Sequence, residues 1–164
     1  MEMENVLVRE TANVGRARIS EICNLDAERS ALAACMIDET ALRRIELMLS
    51  ADDFYRPQHR VIFGAIRSLV EKRVPVDQVS VRQELADTGK LESAGGAHGV
   101  LEIASNTYAV CHAIAHAKTV QRLSGQRRVH RAALEIQIIA EQNDLGLEEF
   151  FDKCWAMLHE AMKV

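Results

Sequence analysis

Proline occurs only twice, at Pro57 and Pro75, and aromatic residues make up just 4% of the sequence. So few breakers and aromatics, in a chain rich in Ala, Leu, Arg, Glu and Ile, argue against a strand-built fold and for helices. No run approaches the roughly 20 apolar residues that a membrane span requires. The opening Met1-Glu2-Met3-Glu4-Asn5 lacks the basic lead and apolar stretch of a secretory signal, so no membrane association and a cytoplasmic location are expected. The four cysteines (Cys23, Cys35, Cys111, Cys154) lie far apart, without CxxC or zinc-finger spacing. They read as reduced, mostly buried thiols, and no metal or cofactor is expected. A phosphate-binding loop is missing too. Gly89-Lys90 has Glu84 where the first glycine should stand and Leu91 where Ser or Thr should follow.

What is present is 164 residues of 48% apolar composition, enough for the core of one domain. The net charge of −4 argues against a protein dominated by non-specific nucleic-acid binding but leaves room for a local basic face. Residues 1–23 are polar and aperiodic, an extension with at most a short helix around Ala17–Ile22. From Asn24, a capping residue, Leu25, Ala31, Leu32, Cys35 and Met36 recur at helical spacing. Asp38 is the candidate cap of a second helix with Leu42, Ile45, Met48 and Leu49. A short helical turn from Ser50 runs through Phe54 and Tyr55. Pro57 then suits the first position of a helix that carries Val61, Ile62, Ala65, Ile66, Leu69 and Val70 and stops near Arg73, ahead of Pro75. Ser80-Val81-Arg82-Gln83 reads as a capping box for a helix ending at Gly89. Gly95-Gly96 makes another turn before a short helix with Leu101 and Ile103.

Residues 109–142 contain no proline and read as one long helix, or two joined near Gly125. Ala109, Ala113 and Ala117 form a small-residue stripe on its first half. Val129, Ala132, Ala133, Ile136, Ile139 and Ala140 share a side of its second half. Asn143-Asp144-Leu145-Gly146 is a tight turn, so the last helix must return antiparallel to the one before it. That helix carries Leu147, Phe150, Phe151, Cys154, Met157, Leu158 and Ala161, with Phe150, Trp155 and Met162 expected outside any single seam. A stripe this wide either folds back on the globular part or pairs with a second copy. A homodimer is the expectation, with Ile136, Ile139, Phe150, Phe151, Trp155 and Leu158 at its interface.

Nothing in the sequence assembles a catalytic group. His112 and His116 are one helical turn apart beside Cys111, but position 113 is Ala, so no HExxH forms, and no third ligand is evident. His59 and His130 stand apart from any nucleophile, His98 lies in a glycine turn, and His159 sits on a polar face. Asp52-Asp53 and Glu148-Glu149 fall in first helical turns, where the helix dipole favours negative charge. More informative are Lys118, Arg122, Arg127, Arg128 and Arg131, five positive charges in 118–131 with no acid among them. They form either a solvated face partly paired with the acids of 141–152, or a groove following a phosphate backbone. With no aromatic interleaved to stack on bases, direct nucleic-acid contact ranks below protein contact.

Asn24-Leu25-Asp26-Ala27-Glu28, the run Asp52-Asp53-Phe54-Tyr55-Arg56-Pro57-Gln58-His59-Arg60-Val61-Ile62-Phe63, Pro75-Val76-Asp77, Leu85 to Leu91 and Gly95-Gly96 together resemble the N-terminal domain of DnaB-type replicative DNA helicases. The likeness runs from Asn24 to the C-terminus. It implies an all-α fold: a compact helical head (24–108) followed by a long helix and antiparallel hairpin (109–164), one domain overall, with the extension 1–23 outside it. In that family hairpins pair into dimers, three dimers form a collar on the hexameric motor, and the collar receives the C-terminal domain of primase. The resemblance thus implies a non-catalytic assembly domain with partners that are itself (a homodimer, or a trimer of dimers), the primase C-terminal domain or a helicase loader, and weakly single-stranded DNA. The ATPase half would begin beyond Val164. Departures are Ile22-Cys23 in place of the usual Pro-His lead-in, and Gly125-Gln126 where apolar residues usually precede the paired arginines, matched here by Arg127-Arg128. A glycine inside a helix costs about 1 kcal/mol, which is what makes two helices joined there an alternative to one. Two other functions are open to such a chain: a naturally short regulator of the same fold, or a small nucleic-acid-binding module.

Overall fold

The computed structural model describes residues 22–105, 111–142 and 144–163. Among them are seven α-helices, two short 3-10 turns and no strand. Packing divides the chain into two units, a head (Asn24–Arg122) and a second unit formed by Met1–Cys23 with Leu123–Val164. The expected extension 1–23 and its short helix fall, Ile22 and Cys23 apart, outside the described residues.

The head is built around α1 (Leu25–Ile37), buried on almost every side through Ala27, Ala31, Leu32, Ala33, Ala34, Cys35 and Met36. Asn24 starts it as expected, its side-chain oxygen accepting from the Ala27 amide at 2.9 Å. Asp38 ends α1 and caps α2 (Glu39–Glu46), accepting from the Thr40 amide at 2.8 Å. The expected turn after Ser50 is shorter than the sequence suggested. It is a 3-10 turn over Ala51–Asp53, closed because the Asp53 carboxylate accepts from both the amide and the hydroxyl of Ser50.

Pro57 opens α3 (Pro57–Glu71), where its missing N–H goes unneeded. The helix ends in a left-handed residue that is not glycine. Arg73 has φ +58°, and the Val74 amide reaches back to the Leu69 carbonyl at 2.9 Å. For α4 (Gln78–Asp87) the structure corrects the cap. Asp77, not Ser80, is the N-cap. Its carboxylate accepts from the Val79 and Ser80 amides, both at 2.8 Å, while Ser80 Oγ accepts from the Asp77 amide at 2.9 Å. Ser80 is therefore the far member of the box, and capping three residues earlier lengthens the helix by most of a turn. Gly89 does take the left-handed conformation at φ +68°, as do Gly95, the N-cap of α5 (Gly96–Ala104), and Gly96, its first residue.

Leu32, Ile45, Phe54, Ile62, Phe63, Ile66, Val81, Leu85 and Val100 are among the fully enclosed side chains of the head core, with the Phe54 and Phe63 rings 4.9 Å apart. Ala113, Ala117 and Val120 complete it from the first turns of α6 (Ala113–Gln142). Ala113 and Ala117 of the small-residue stripe thus pack into the head (Ala109 lies outside the described residues), and the packing division falls at Leu123. Helix α6 also runs unbroken through Gly125, the first of the two arrangements that the sequence left open.

The second unit is the hairpin of the C-terminal part of α6 with α7 (Leu147–Met162). Its turn is described at 144–146, Asn143 lying outside the described residues. The antiparallel return is pinned by Arg128, whose Nε donates to the Ala161 carbonyl at 3.1 Å near the far end of α7. Of the four thiols, only Cys35 is fully buried; Cys23 and Cys154 are half-buried and Cys111 is exposed. The expectation of mostly buried thiols was too strong, because Cys111 lies ahead of α6 and outside any apolar periodicity.

Candidate interaction site

The residues 53–60, prominent in the sequence, are almost wholly occupied in holding the head together. Glu28 of α1 is buried, and its carboxylate accepts from the Tyr55 amide at 2.6 Å and the Arg56 amide at 3.3 Å. His59 Nδ1 lies 2.7 Å from the same carboxylate; since a carboxylate only accepts, Nδ1 carries the proton. Gln58 donates to the Ala94 carbonyl at 2.7 Å, and Arg60 donates to the Phe54 carbonyl at 2.6 Å. This segment is a latch between α1, α3 and the glycine turn, and no side chain of it points to a reacting group. His59 is buried against a carboxylate 31 residues away, a contact that the sequence did not reveal. The available signal was Glu28, an acid in helical register with the apolar Ala31, Leu32 and Cys35.

The glycines of the turn have a steric reason. A Cβ at Gly95 would meet Gln58 Nε2 at 2.0 Å, and one at Gly99 would meet the Ala94 carbonyl oxygen and Gln58 Nε2, each at 2.6 Å. A second polar group, Glu84, takes Lys72 Nζ at 2.7 and 2.6 Å and Ser68 Oγ at 2.7 Å. The Lys72 hydrogen bond, then that from Ser68, holds its carboxyl below the ordinary range. Burial, with a smaller contribution from Glu46, pushes the Cys35 thiol up to about 12, leaving it protonated and inert. His112 and His116 remain at the start of α6 with no further ligand, and among the described residues no group of three His, Cys, Asp or Glu is placed to hold a metal.

The hairpin presents the more suggestive surface. On α7 the half-buried side chains are Phe150, Cys154, Met157 and Leu158, with Ala161 buried. Phe150, expected outside the seam, is thus half-buried, unlike Trp155 and Met162. Beside them runs a second, outward row: Leu147, Phe151, Trp155 and Met162, between 57% and 70% exposed. Steps of four, four and seven place these four side chains within an arc of about 80°. Of the other residues expected at an interface, Ile136 and Ile139 on α6 are half-buried.

The basic run does not form one solvated face. Lys118, Arg122 and Arg131 are exposed. Arg127 is 1% exposed and donates to the Ile22 carbonyl at 3.0 Å, while Arg128 bonds Ser124 Oγ and the Ala161 carbonyl, each at 3.1 Å. Periodicity alone could not separate the two arginines that order the hairpin from the three cations that face water.

With this geometry in hand, comparison with known proteins is decisive. The family model for the DnaB-like helicase N terminal domain matches residues 20–122. The chain belongs to that family. The match nearly coincides with the head, the unit that holds the latch and the glycine turn. The chain is 36% identical over 113 residues to the replicative DNA helicase DnaC of Bacillus subtilis and 34% identical over 113 residues to the replicative DNA helicase DnaB of Geobacillus stearothermophilus. Each comparison covers 69% of this chain and 25% of the relative, so the chain spans about a quarter of the length of these curated relatives. The crystal structure of the N-terminal domain of DnaB helicase from Mycobacterium tuberculosis superposes with a TM-score of 0.78 at 27% identity. That superposition covers 84% of this chain and 96% of the other, so the likeness of this DnaB-family domain to it extends beyond the head. No helix among the described residues is long and apolar enough to cross a membrane.

Proposed function

We propose that this DnaB-like N-terminal domain is a non-catalytic assembly domain of DNA replication that dimerises through its hairpin and helps to organise a helicase hexamer. The observation that carries this reading is the outward row Leu147, Phe151, Trp155 and Met162, beside the half-buried Phe150, Cys154, Met157 and Leu158. Four large apolar side chains in one row, left in water, are what a partner helix would cover. Each large side chain so covered contributes on the order of 1.5–3 kcal/mol. The second copy would lay its own row against this one, as a two-fold interface requires, with Ile136, Ile139, Phe150 and Leu158 supporting it. The wider roles (a trimer of dimers, reception of a primase C-terminal domain or a loader) rest on family membership.

The test is light scattering across a concentration series. The protein should be dimeric, and Trp155→Asp or Phe151→Asp should give a folded monomer. A wild type that stays monomeric at high concentration overturns the interface. Adding a cognate primase C-terminal domain to the dimer asks separately whether a larger complex forms.

A further inference from the structure

We propose that Gly125 is a flexure point built into α6, at which the head and the hairpin reorient while the helix persists. Helix α6 serves two units. Toward its start, Ala113, Ala117 and Val120 are core residues of the head, and Gln121 Nε2 donates to the Met48 carbonyl at 3.0 Å. Toward its end, Arg128 holds Ser124 Oγ and the Ala161 carbonyl, and Arg127 holds the Ile22 carbonyl. Between the last bond into the head and the first bond within the hairpin lie Arg122 and Leu123, where the packing division falls.

Gly125 stands two residues past that division and is the only glycine in the 30 residues of the helix. Packing does not demand it. Among the described residues, an added Cβ would have only Arg128 Nη2 nearby, at an ordinary 3.8 Å, and Gly125 is not among the glycines with positive φ. A glycine that is sterically unnecessary contributes only its freedom, the low helix propensity that makes a helix interior locally weak. Ser-Gly pairs are recognised sites of helix bending, and Ser124 precedes it. Gly64 in α3 supplies the internal contrast. It too has open space, with nothing within 4 Å of an added Cβ, but its neighbours Ile62, Phe63, Ala65 and Ile66 are all locked in one core. Freedom at Gly64 moves nothing; freedom at Gly125 sits where two separately packed bodies share a helix.

Two measurements on the whole chain test this, and neither depends on the dimer reading. By amide hydrogen exchange, residues 125–129 should exchange at least several-fold faster than residues 117–121, and Gly125→Ala should slow them about fivefold, the effect of restoring alanine's helix propensity. Uniformly slow exchange through 117–129 in the wild type overturns the proposal. By pulsed electron resonance, spin labels at positions 67 and 135, diluted with unlabelled protein so that only distances within one chain are read, should give a broad distribution. Gly125→Ala should narrow it, whereas Gly64→Ala should leave its width unchanged. A narrow wild-type distribution, no narrowing in Gly125→Ala, or equal narrowing in both variants overturns the flexure point.

Discussion

Glu28 and His59, 31 residues apart in the chain, meet at 2.7 Å in the interior of the head, with neither side chain more than 2% exposed. The same carboxylate closes the Tyr55 and Arg56 amides, so α1 and the entry to α3 are joined at one point. Removing one member of such a buried pair leaves the other without compensation. Glu28→Ala should lower the unfolding free energy by about 3–5 kcal/mol. His59→Ala should cost less, because the two backbone donors keep their acceptor. Urea unfolding of both variants and of the double variant checks this. Additive losses would show that the two residues do not act together.

Gln58 and Gly95 make a second such joint. A side chain at position 95 displaces the Gln58 amide from the Ala94 carbonyl and must adopt φ +84°, so two costs add. Gly95→Ala should destabilise by about 1–3 kcal/mol, from left-handed strain and the lost hydrogen bond. In a Gln58→Ala background the steric part vanishes and only the strain remains. The expected result of the double-mutant cycle is thus a smaller loss for Gly95→Ala when Gln58 is already gone. Equal losses in both backgrounds would refute the steric account.

These two joints mark the limit of what could be read from the chain alone. Caps and stops at Asn24, Asp38, Pro57 and Gly89 were legible because each acts within one turn of itself. The antiparallel hairpin was legible because a short turn leaves two helices no other course. Glu28–His59 and Gln58–Ala94 were not, because they connect residues 31 and 36 positions apart and helical periodicity carries no information on which faces meet. Ser80 was read as a cap because Asp77 and Ser80 are both competent, and only the extended backbone after Pro75 settles which one begins the helix. The outward row on α7 was visible as an excess of apolar width. Its division into half-buried and exposed residues, with Phe150 among the first and Trp155 among the second, needed the structure.

Glu84 should confer acid sensitivity. Its carboxyl is held below its ordinary value of 4.5 in the folded head by Lys72 and then Ser68. A carboxyl depressed on folding contributes fully above its unfolded value and loses that contribution as pH falls through the lower folded value. Stability should therefore decline below about pH 4.5 more steeply in the wild type than in Glu84→Gln. Urea midpoints measured from about pH 6 to about pH 3 give the comparison. Parallel profiles for the two proteins would exclude Glu84 as a contributor.

The cysteines should react in an order set by exposure and by the state of the thiol. Cys111 is exposed and should be alkylated first near neutral pH, with the half-buried Cys23 and Cys154 following. Cys35, pushed up to about 12, presents almost no thiolate and no access, and should be labelled only on unfolding. Mass spectrometry of pulse-alkylated protein reads this directly. Labelling of Cys35 at the rate of Cys111 under native conditions would mean that α1 is not the enclosed helix described.

The basic segment makes a prediction that divides its members. Arg127 is buried on the Ile22 carbonyl, and a hydrogen bond from a charged group contributes about 1.5–3 kcal/mol. Arg127→Ala should lower the stability of the hairpin by that amount, whether or not DNA is bound. Lys118, Arg122 and Arg131 face water, so reversing their charges should leave the unfolding midpoint nearly unchanged. If these exposed cations contact a phosphate backbone, the three reversals should weaken single-stranded DNA binding and reduce its salt dependence. The weakening should appear in all three variants while their circular dichroism melts overlay that of the wild type. Unaltered binding in the triple variant would remove the segment from any role with nucleic acid and leave Arg127 and Arg128 as parts of the hairpin alone.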